Sequence, residues 1–490
     1  MATRRMARRD FLAMSGLATA ATLLAACQPK VVEKIVKETV VVEKEKVVEK
    51  TIVVEKQKEV TKVVEKEKVV EKAVTNTPAP RAAAKIVFQF CSGEFPEDQL
   101  KLFEEKYPPY KLESLNDCGP DTFMARLAAG QQIDIIRANG IDMANNVLKR
   151  LPLNLDPFFA TSQIFKEEDI LPVNDYYKVH GSRYGLAKDW SPDHPVIIRK
   201  DFFDEAGVNV PLDKSLTYQE WRALSPKLNK KEGDRMVRWG TGWAPVWIWV
   251  LHPPTTFDPP GSLWSADQSK MNLRDDPRNL EVAKFFIDWK KEGGIPSPIH
   301  PHIGPWAVPD FSDGYSASMS FGMWSTGCCL GDAKWDLDQN LYMLPAPKWG
   351  PIYNNPCVTA TGGAISAATK IPEAAWKCFE FMYGEEPADW RARGGFGLPA
   401  LKSKLKLLPQ DRPWRKRIYD QVQWELKNTF AQTITPIPYI AFSTLSAIWN
   451  KYEESVLRDQ MGFDEMIDAV EKDANEAIRE IMDREGLIKK

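Results

Sequence analysis

From Lys85 onward the chain alternates between two hydrophobic periods. Ile86, Phe88 and Phe90 recur at every second position, the period of a strand. Cys91-Ser92-Gly93-Glu94 then supplies a turn. Residues 97–107 carry Leu100, Leu102 and Phe103 and end at Pro108-Pro109, as a helix does. Residues 110–115 read as a second strand. Asp121 is expected to cap a helix through Met124, Leu127 and Ala128 that Gly130 ends. Ile133-Asp134-Ile135-Ile136 reads as a buried third strand. Strand–helix–strand–helix–strand implies a parallel sheet covered by helices, because parallel neighbours need a crossover. Ligands of such sheets bind outside the carboxyl ends of the strands. That rule places Ser92, Gly93 and Glu94, and then Asn139 and Asp142, at one rim.

The first 84 residues follow neither period. Arg4, Arg5, Arg8 and Arg9 precede an uncharged run over residues 11–26, 16 residues long. That is short for a bilayer span and suits the apolar part of an export signal. Arg8-Arg9-Asp10-Phe11-Leu12 resembles the twin-arginine export motif, with Ala7 where serine or threonine is usual. Leu24-Ala25-Ala26-Cys27 resembles a lipobox, which implies acylation at Cys27 and anchorage to a membrane; two or three chains hold stably where one binds only marginally. Val-Val-Glu-Lys then recurs from positions 31, 41, 47, 53, 63 and 69. Residues 31–72 hold 15 Val, 2 Ile, 11 Lys and 10 Glu, and the repeat spacing sustains no heptad. Valine favours extended backbone while Lys and Glu keep the segment wet. Residues 27–84 therefore read as a tether, whose repeat spans on the order of 140 Å if fully extended. An oligomerising stalk is the other reading of it.

Charge narrows the partners. The 490 residues carry a net charge of -2, but residues 85–490 hold 48 basic and 56 acidic residues. A freestanding acidic domain has no reason to bind nucleic acid. Catalytic motifs are scarce. No Gly-x-Ser-x-Gly, phosphate loop or His-Glu-x-x-His occurs. His300-Pro301-His302 offers two ligands in a proline-broken loop without a third, a poor zinc site. No metal and no cofactor are expected.

Several short segments, in order along the chain, carry a resemblance. Phe103-Glu104-Glu105-Lys106-Tyr107-Pro108, Leu127-Ala128-Ala129-Gly130 with Asp134-Ile135-Ile136, and Tyr184-Gly185-Leu186 come first. Lys200-Asp201-Phe202-Phe203-Asp204-Glu205-Ala206-Gly207 and Thr217-Tyr218-Gln219-Glu220-Trp221 follow. Phe311, Gly314, Ala317, Met319, Gly322 and Trp324 then precede Gly362-Gly363-Ala364-Ile365-Ser366 and Gly397-Leu398-Pro399-Ala400. Together they resemble the bacterial extracellular solute-binding proteins of sugar ABC transporters, the maltose-binding-like group. Ile133 and Ala187 stand where that group usually has proline. The resemblance implies an α/β, two-lobed periplasmic-binding-protein-like fold (type II) with a hinge and a discontinuous chain. Lobe one would be 85–187 and 361–402; lobe two would be 188–360 and 403–490. It implies a non-enzymatic, lipid-anchored receptor with a monomeric folded domain, held at the outer face of the cytoplasmic membrane. Its partners would be a carbohydrate and the permease subunits of an ABC transporter.

A sugar ring has an apolar face and a hydroxyl rim, so aromatic rings with carboxylates or amides suit it. Seventeen tryptophans supply rings. The resemblance puts Trp324 in the cleft and Trp190 at the hinge mouth. Trp243 and Trp247, one helical turn apart, and Tyr439 are further candidates, while Trp221, Trp289 and Trp376 sit on helical apolar faces and read as packing. Ser92, Glu94, Asn139, Asp142 and Asp189 are the polar candidates, and Arg137 either meets an anion or pairs with a nearby acid. A secreted glycoside hydrolase and a surface adhesion or scaffold protein stay open on the residues alone. Among the cysteines, Cys91 with Cys118, and Cys328 or Cys329 with Cys357, are candidate disulfides. A twin-arginine passenger folds before leaving a reducing cytosol, so its stability should not rest on these bridges. Reductant is expected to lower the melting temperature of residues 85–490 by well under about 10 °C in a thermal-shift scan, and a larger drop contradicts this.

Overall fold

A computed structural model describes residues 82–91, 93–117, 119–243, 252–331 and 333–487. The export signal, Cys27, Arg8, Arg9 and the Val-Val-Glu-Lys tether lie outside the described residues, as do Ser92, Cys118 and Trp247. Eight strands build the two principal sheets: β1 (Ala84–Phe88), β2 (Tyr110–Ser114), β3 (Ile135–Asn139), β4 (Leu186–Ala187), β5 (Val196–Arg199), β6 (Ser318–Ser320), β7 (Leu341–Leu344) and β8 (Thr361–Ile365). The first sheet has the order β2-β1-β3-β8-β4, and the second has the order β6-β5-β7.

The opening follows the expected alternation. β1 pairs in parallel with β2 and β3, with helices Glu97–Lys106 and Pro120–Ala128 as the crossovers. Ile86, Val87 and Phe88 are all buried, because a central strand covered on both faces has no wet side. Two local details differ. The second helix starts after Gly119, with Pro120 in its first turn, so Asp121 falls inside the helix and the cap position is held by Gly119. The third strand starts two residues later than the run of isoleucines indicates. Asp134 is fully buried just before it and accepts from the Val87 N–H at 2.9 Å, the Gln132 amide at 2.6 Å and the Thr369 hydroxyl at 2.6 Å. A buried carboxylate must find donors, and these fix the strand's entry.

β8 returns from far along the chain and runs antiparallel to both β3 and β4. The second sheet is wholly antiparallel. Its strands alternate in the usual way. Val196, Ile198 and Leu344 join one apolar cluster with the helices Pro277–Lys291, Phe442–Leu457 and Phe463–Arg484. Ile197, Met319 and Met343 face the other, which also fills the space around the first sheet. Trp221, Trp289 and Trp376 lie in these cores, as their helical spacing indicates.

The chain passes between the sheets through residues 188–195 and 345–360. The two passes are bonded side by side. Val358 N–H donates to the Asp193 carboxylate at 2.7 Å, and His194 N–H donates to the Asn355 side chain at 2.9 Å. A third strand of chain lies against them, with Cys357 N–H donating to Gln432 C=O at 2.8 Å.

Cys328 and Cys329 form a disulfide with each other, whereas Cys357 and Cys378 are buried free thiols, so Cys357 does not pair with either. Cys91 is disulfide-bonded. The Cys328–Cys329 bridge joins adjacent residues and so removes little freedom from the unfolded chain.

Candidate functional site

A cavity of about 210 Å³ lies where the passes meet the first sheet. Its wall includes Glu94, Arg137, Lys188, Asp189, Trp190 and Trp324. Gly93, at φ +84°, makes the turn after β1, a left-handed conformation that glycine adopts freely. The turn folds Glu94 back so that Cys91 N–H donates to its carboxylate at 3.1 Å. Arg137, on β3, donates to both Glu94 oxygens at 3.2 Å. Lys188 is buried and sits 3.5 Å from Glu94 while pairing with Asp189. Arg391 is buried behind this group. Two cations thus oppose two carboxylates at the wall, and the Arg391 charge also acts on Asp189 and Glu94.

The environment tunes these groups. Burial pushes the Glu94 carboxyl up, but the charges of Lys188 and Arg137 and the Cys91 N–H outweigh it and hold its pKa below the usual range. Asp193 has no cation so close. Burial raises its pKa to about 6, against the bonds from Val358 N–H and the Ser191 hydroxyl. Burial also lowers the Arg391 pKa, opposed by the charges of Asp189 and Glu94. A sugar hydroxyl both donates and accepts. The wall offers fixed acceptors and fixed donors within one small space, with the Trp324 ring beside them.

The expected site residues divide. Glu94, Asp189, Trp190 and Trp324 line the cavity. Trp190 is 3% exposed, and its indole N–H already donates to Pro399 C=O at 3.1 Å, so it offers the cavity little beyond ring atoms. Asn139 and Asp142 do not line it. Asn139 accepts from Arg137 at 3.4 Å. The Asp142 carboxylate accepts from Phe442 N–H at 2.8 Å, at the start of the helix Phe442–Leu457, where a negative charge is favoured. Tyr439 packs against the second apolar cluster, and Trp243 stacks on Phe321 at 5.6 Å. Arg137 takes the pairing alternative. Lys188, Asp193, Thr361 and Phe396 line the cavity without having been singled out. The pair Lys188-Asp189 directly after β4 was the available signal for Lys188, since consecutive charged residues at the end of a buried strand have no apolar core to join. His300 and His302 are engaged elsewhere: the His300 ring meets Lys291 C=O at 3.2 Å, and the His302 ring meets Asp310 at 2.7 Å.

The family model for bacterial extracellular solute-binding proteins matches residues 92–389. The chain belongs to that family. Solute-binding proteins of known structure share its fold over about four-fifths of the chain. An ABC substrate-binding protein, Lmo0181 of Listeria monocytogenes, solved with cycloalternan, is 21% identical, with a TM-score of 0.66 over 82% of this chain and 99% of that one. The GacH receptor of Streptomyces glaucescens, solved unliganded and with acarbose, is 14% identical at a TM-score of 0.65, over 81% and 99%. The maltose/maltodextrin-binding domain MalE of Bdellovibrio bacteriovorus, solved with maltotriose, is 15% identical at a TM-score of 0.65, over 81% and 100%. No curated protein matches the chain. This solute-binding protein therefore has the two-lobed α/β architecture, and its family places it outside the cytoplasm. Its family's members bind solutes.

Proposed function

We propose that this solute-binding protein is a lipid-anchored receptor that captures a carbohydrate between its lobes and delivers it unchanged to an ABC importer permease. The observation that carries the reading is the 210 Å³ cavity, where Trp324 stands beside Glu94, Arg137, Lys188 and Asp189. A ring for the apolar face and paired donors and acceptors for the hydroxyls are what carbohydrate recognition requires. The sugars bound by the structural relatives support it. In this reading lobe one is 85–187 with 361–402, and lobe two is 188–360 with 403–490. Cys27 carries the anchor, Arg8-Arg9 marks the export route, and residues 27–84 hold the receptor off the membrane. Intrinsic fluorescence and thermal shift of residues 85–490 against a panel of mono- and oligosaccharides test it. Saturable shifts are expected. A folded protein silent to every sugar overturns the carbohydrate, and consumption of the sugar overturns the receptor.

Capture in such a fold is closure of one lobe on the other. The helix Trp324–Cys329 follows β6, and its Gly327 lies against Gly395 and Phe396 beyond β8. A Cβ at Gly327 would sit 2.0 Å from Gly395 C=O oxygen and 2.8 Å from Phe396 N. Both are backbone atoms, so neither side can yield by a rotamer change. Gly327→Ala is expected to hold the lobes apart, weakening sugar binding by about tenfold or more with little loss of melting temperature. Small-angle scattering at saturating sugar checks it. Compaction equal to that of the parent protein would show that this contact does not gate closure.

A further inference from the structure

Cys328 and Cys329 end the helix Trp324–Cys329 and are bonded to each other. A bridge between neighbours closes no loop of chain, so its use does not lie in the stability of the fold. Its position gives it another. Neighbouring side chains on a helix point about 100° apart, whereas bonded sulfurs lie together. The bridge therefore fixes the chain at the last turn, and the helix stops there, before the fully buried Leu330. As thiols the two side chains are free to point apart.

Two working surfaces share this short helix. Trp324, in its first turn, gives its ring to the cavity. Gly327, directly before the bridge, seats on the backbone of Gly395 and Phe396, and Phe396 is itself part of the cavity wall. The seam is closely packed, since the space among Thr326, Gly327, Gly395, Pro409 and Trp414 amounts to about 10 Å³. Packed interfaces pass on small displacements rather than absorbing them. Cys328 and Cys329 are half-buried, within reach of a small reductant. The free thiols of Cys357 and Cys378 are buried, and burial raises their pKa, so they take no part in exchange.

We propose that the Cys328–Cys329 pair is a redox switch on this seam: the disulfide holds the helix in the shape that seats on Gly395 and Phe396 and presents Trp324, and the dithiol releases it. In the switching step a thiolate of an external dithiol attacks one sulfur of the bridge and the bridge breaks. The second thiol of the reductant then displaces the mixed disulfide. The protein gains two electrons and two protons as two thiols, and the reductant leaves as a cyclic disulfide. A disulfide-bearing exchange partner runs the same step in reverse. The oxidised form is the preorganised one and binds solute more tightly. In its effect on sugar the switch rests on the receptor reading above. On the export route of that reading, the chain folds as the weak-binding dithiol in a reducing cytosol and becomes the tight-binding disulfide outside.

The test compares three samples: residues 85–490 purified in air, the same protein in dithiothreitol, and the variant carrying both Cys328→Ser and Cys329→Ser. Iodoacetamide labelling read by mass spectrometry counts the thiols at 328 and 329, and the double variant separates this pair from the Cys91 disulfide. Amide hydrogen exchange needs no ligand. Residues 325–330 and 395–397 are expected to exchange about fivefold or more faster in the reduced parent and in the double variant, with the strands of both sheets unchanged. Calorimetry with glucose, maltose, maltotriose, mannose and mannobiose is expected to show the tightest of these sugars bound about tenfold more weakly in both, with the double variant indifferent to dithiothreitol. Equal exchange over these segments in all three samples overturns the switch. So do free thiols at 328 and 329 in the air-purified protein, or a bridge that dithiothreitol leaves intact. Faster exchange with unchanged affinity overturns its control of binding. Binding of none of the five sugars overturns the carbohydrate reading, while the exchange result still decides the switch.

Discussion

Replacing Trp324 by alanine is expected to weaken carbohydrate binding by roughly 30-fold, about 2 kcal/mol, with a melting temperature close to that of the parent protein. Trp324 is half-buried at the start of a six-residue helix and gives one ring to the cavity. Its indole is the wall's broadest apolar surface that is not already committed to the core, since Trp190 beside it is packed and hydrogen-bonded. Truncation removes the stacking face and lets water into the cavity, while the five ionisable groups keep their partners. Loss of affinity with retained stability is therefore the signature of a ligand platform. Calorimetry is the right readout, because the substitution also removes a fluorophore. Trp324→Phe should recover most of the affinity, since a smaller ring still stacks. An unchanged dissociation constant in Trp324→Ala would remove this residue from the site.

The second large effect concerns stability and pH. Glu425 is fully buried on the helix Pro413–Asn428. Its carboxylate accepts from Asn355 at 2.9 Å, from Gln421 at 2.8 Å, from Ala346 N–H at 3.3 Å and from the Tyr353 hydroxyl. Burial outweighs these four donors and pushes its pKa up to about 7. An acid whose folded pKa is raised binds a proton in the folded state that the unfolded chain has already released. Stability from this group is present below about pH 4.5 and is lost as pH rises to about 7, by on the order of 3 kcal/mol. Asp193, at about 6, acts in the same direction. His252 opposes them, because burial lowers its pKa to about 4, and His194, stacked on it at 4.0 Å, is lowered too. The parent curve mixes these terms, so the difference between the parent and Glu425→Gln is the quantity to measure. Urea melts at pH 5, 6, 7 and 8 should show the parent's advantage over the variant falling steadily to pH 7 and then levelling. A difference that does not vary with pH would mean that Glu425 does not take up this proton on folding.

Much of the first lobe is legible in local pattern. The alternation at Ile86, Phe88 and Phe90, the proline stop at Pro108 and the left-handed Gly130 mark β1, the first helix and the end of the second. The late start of β3 was hidden because Asp134 reads as one position of the isoleucine-rich strand until its three donors, two of them distant in sequence, are seen. The site divides on the same ground. Glu94 reaches the cavity through a four-residue turn whose glycine is visible in the sequence. Asp142 also stands near a strand's carboxyl end, but it is taken by a helix start 300 residues away, and no local signal announces that. Lys188 and Asp193 lie in a pass between sheets that belongs to neither hydrophobic period. Asp193 meets its Val358 N–H donor only when the 188–195 and 345–360 segments come together, and Lys188 meets Glu94 only when the turn after β1 closes on the pass.

The central claim is capture without chemistry. Its most direct test is calorimetric titration of residues 85–490 with the panel sugar giving the largest thermal shift, followed by chromatography of that sugar after prolonged incubation. Saturable one-to-one binding and quantitative recovery of the intact sugar are predicted. Cleavage products, or an absence of saturable heat for every sugar in the panel, would contradict the account.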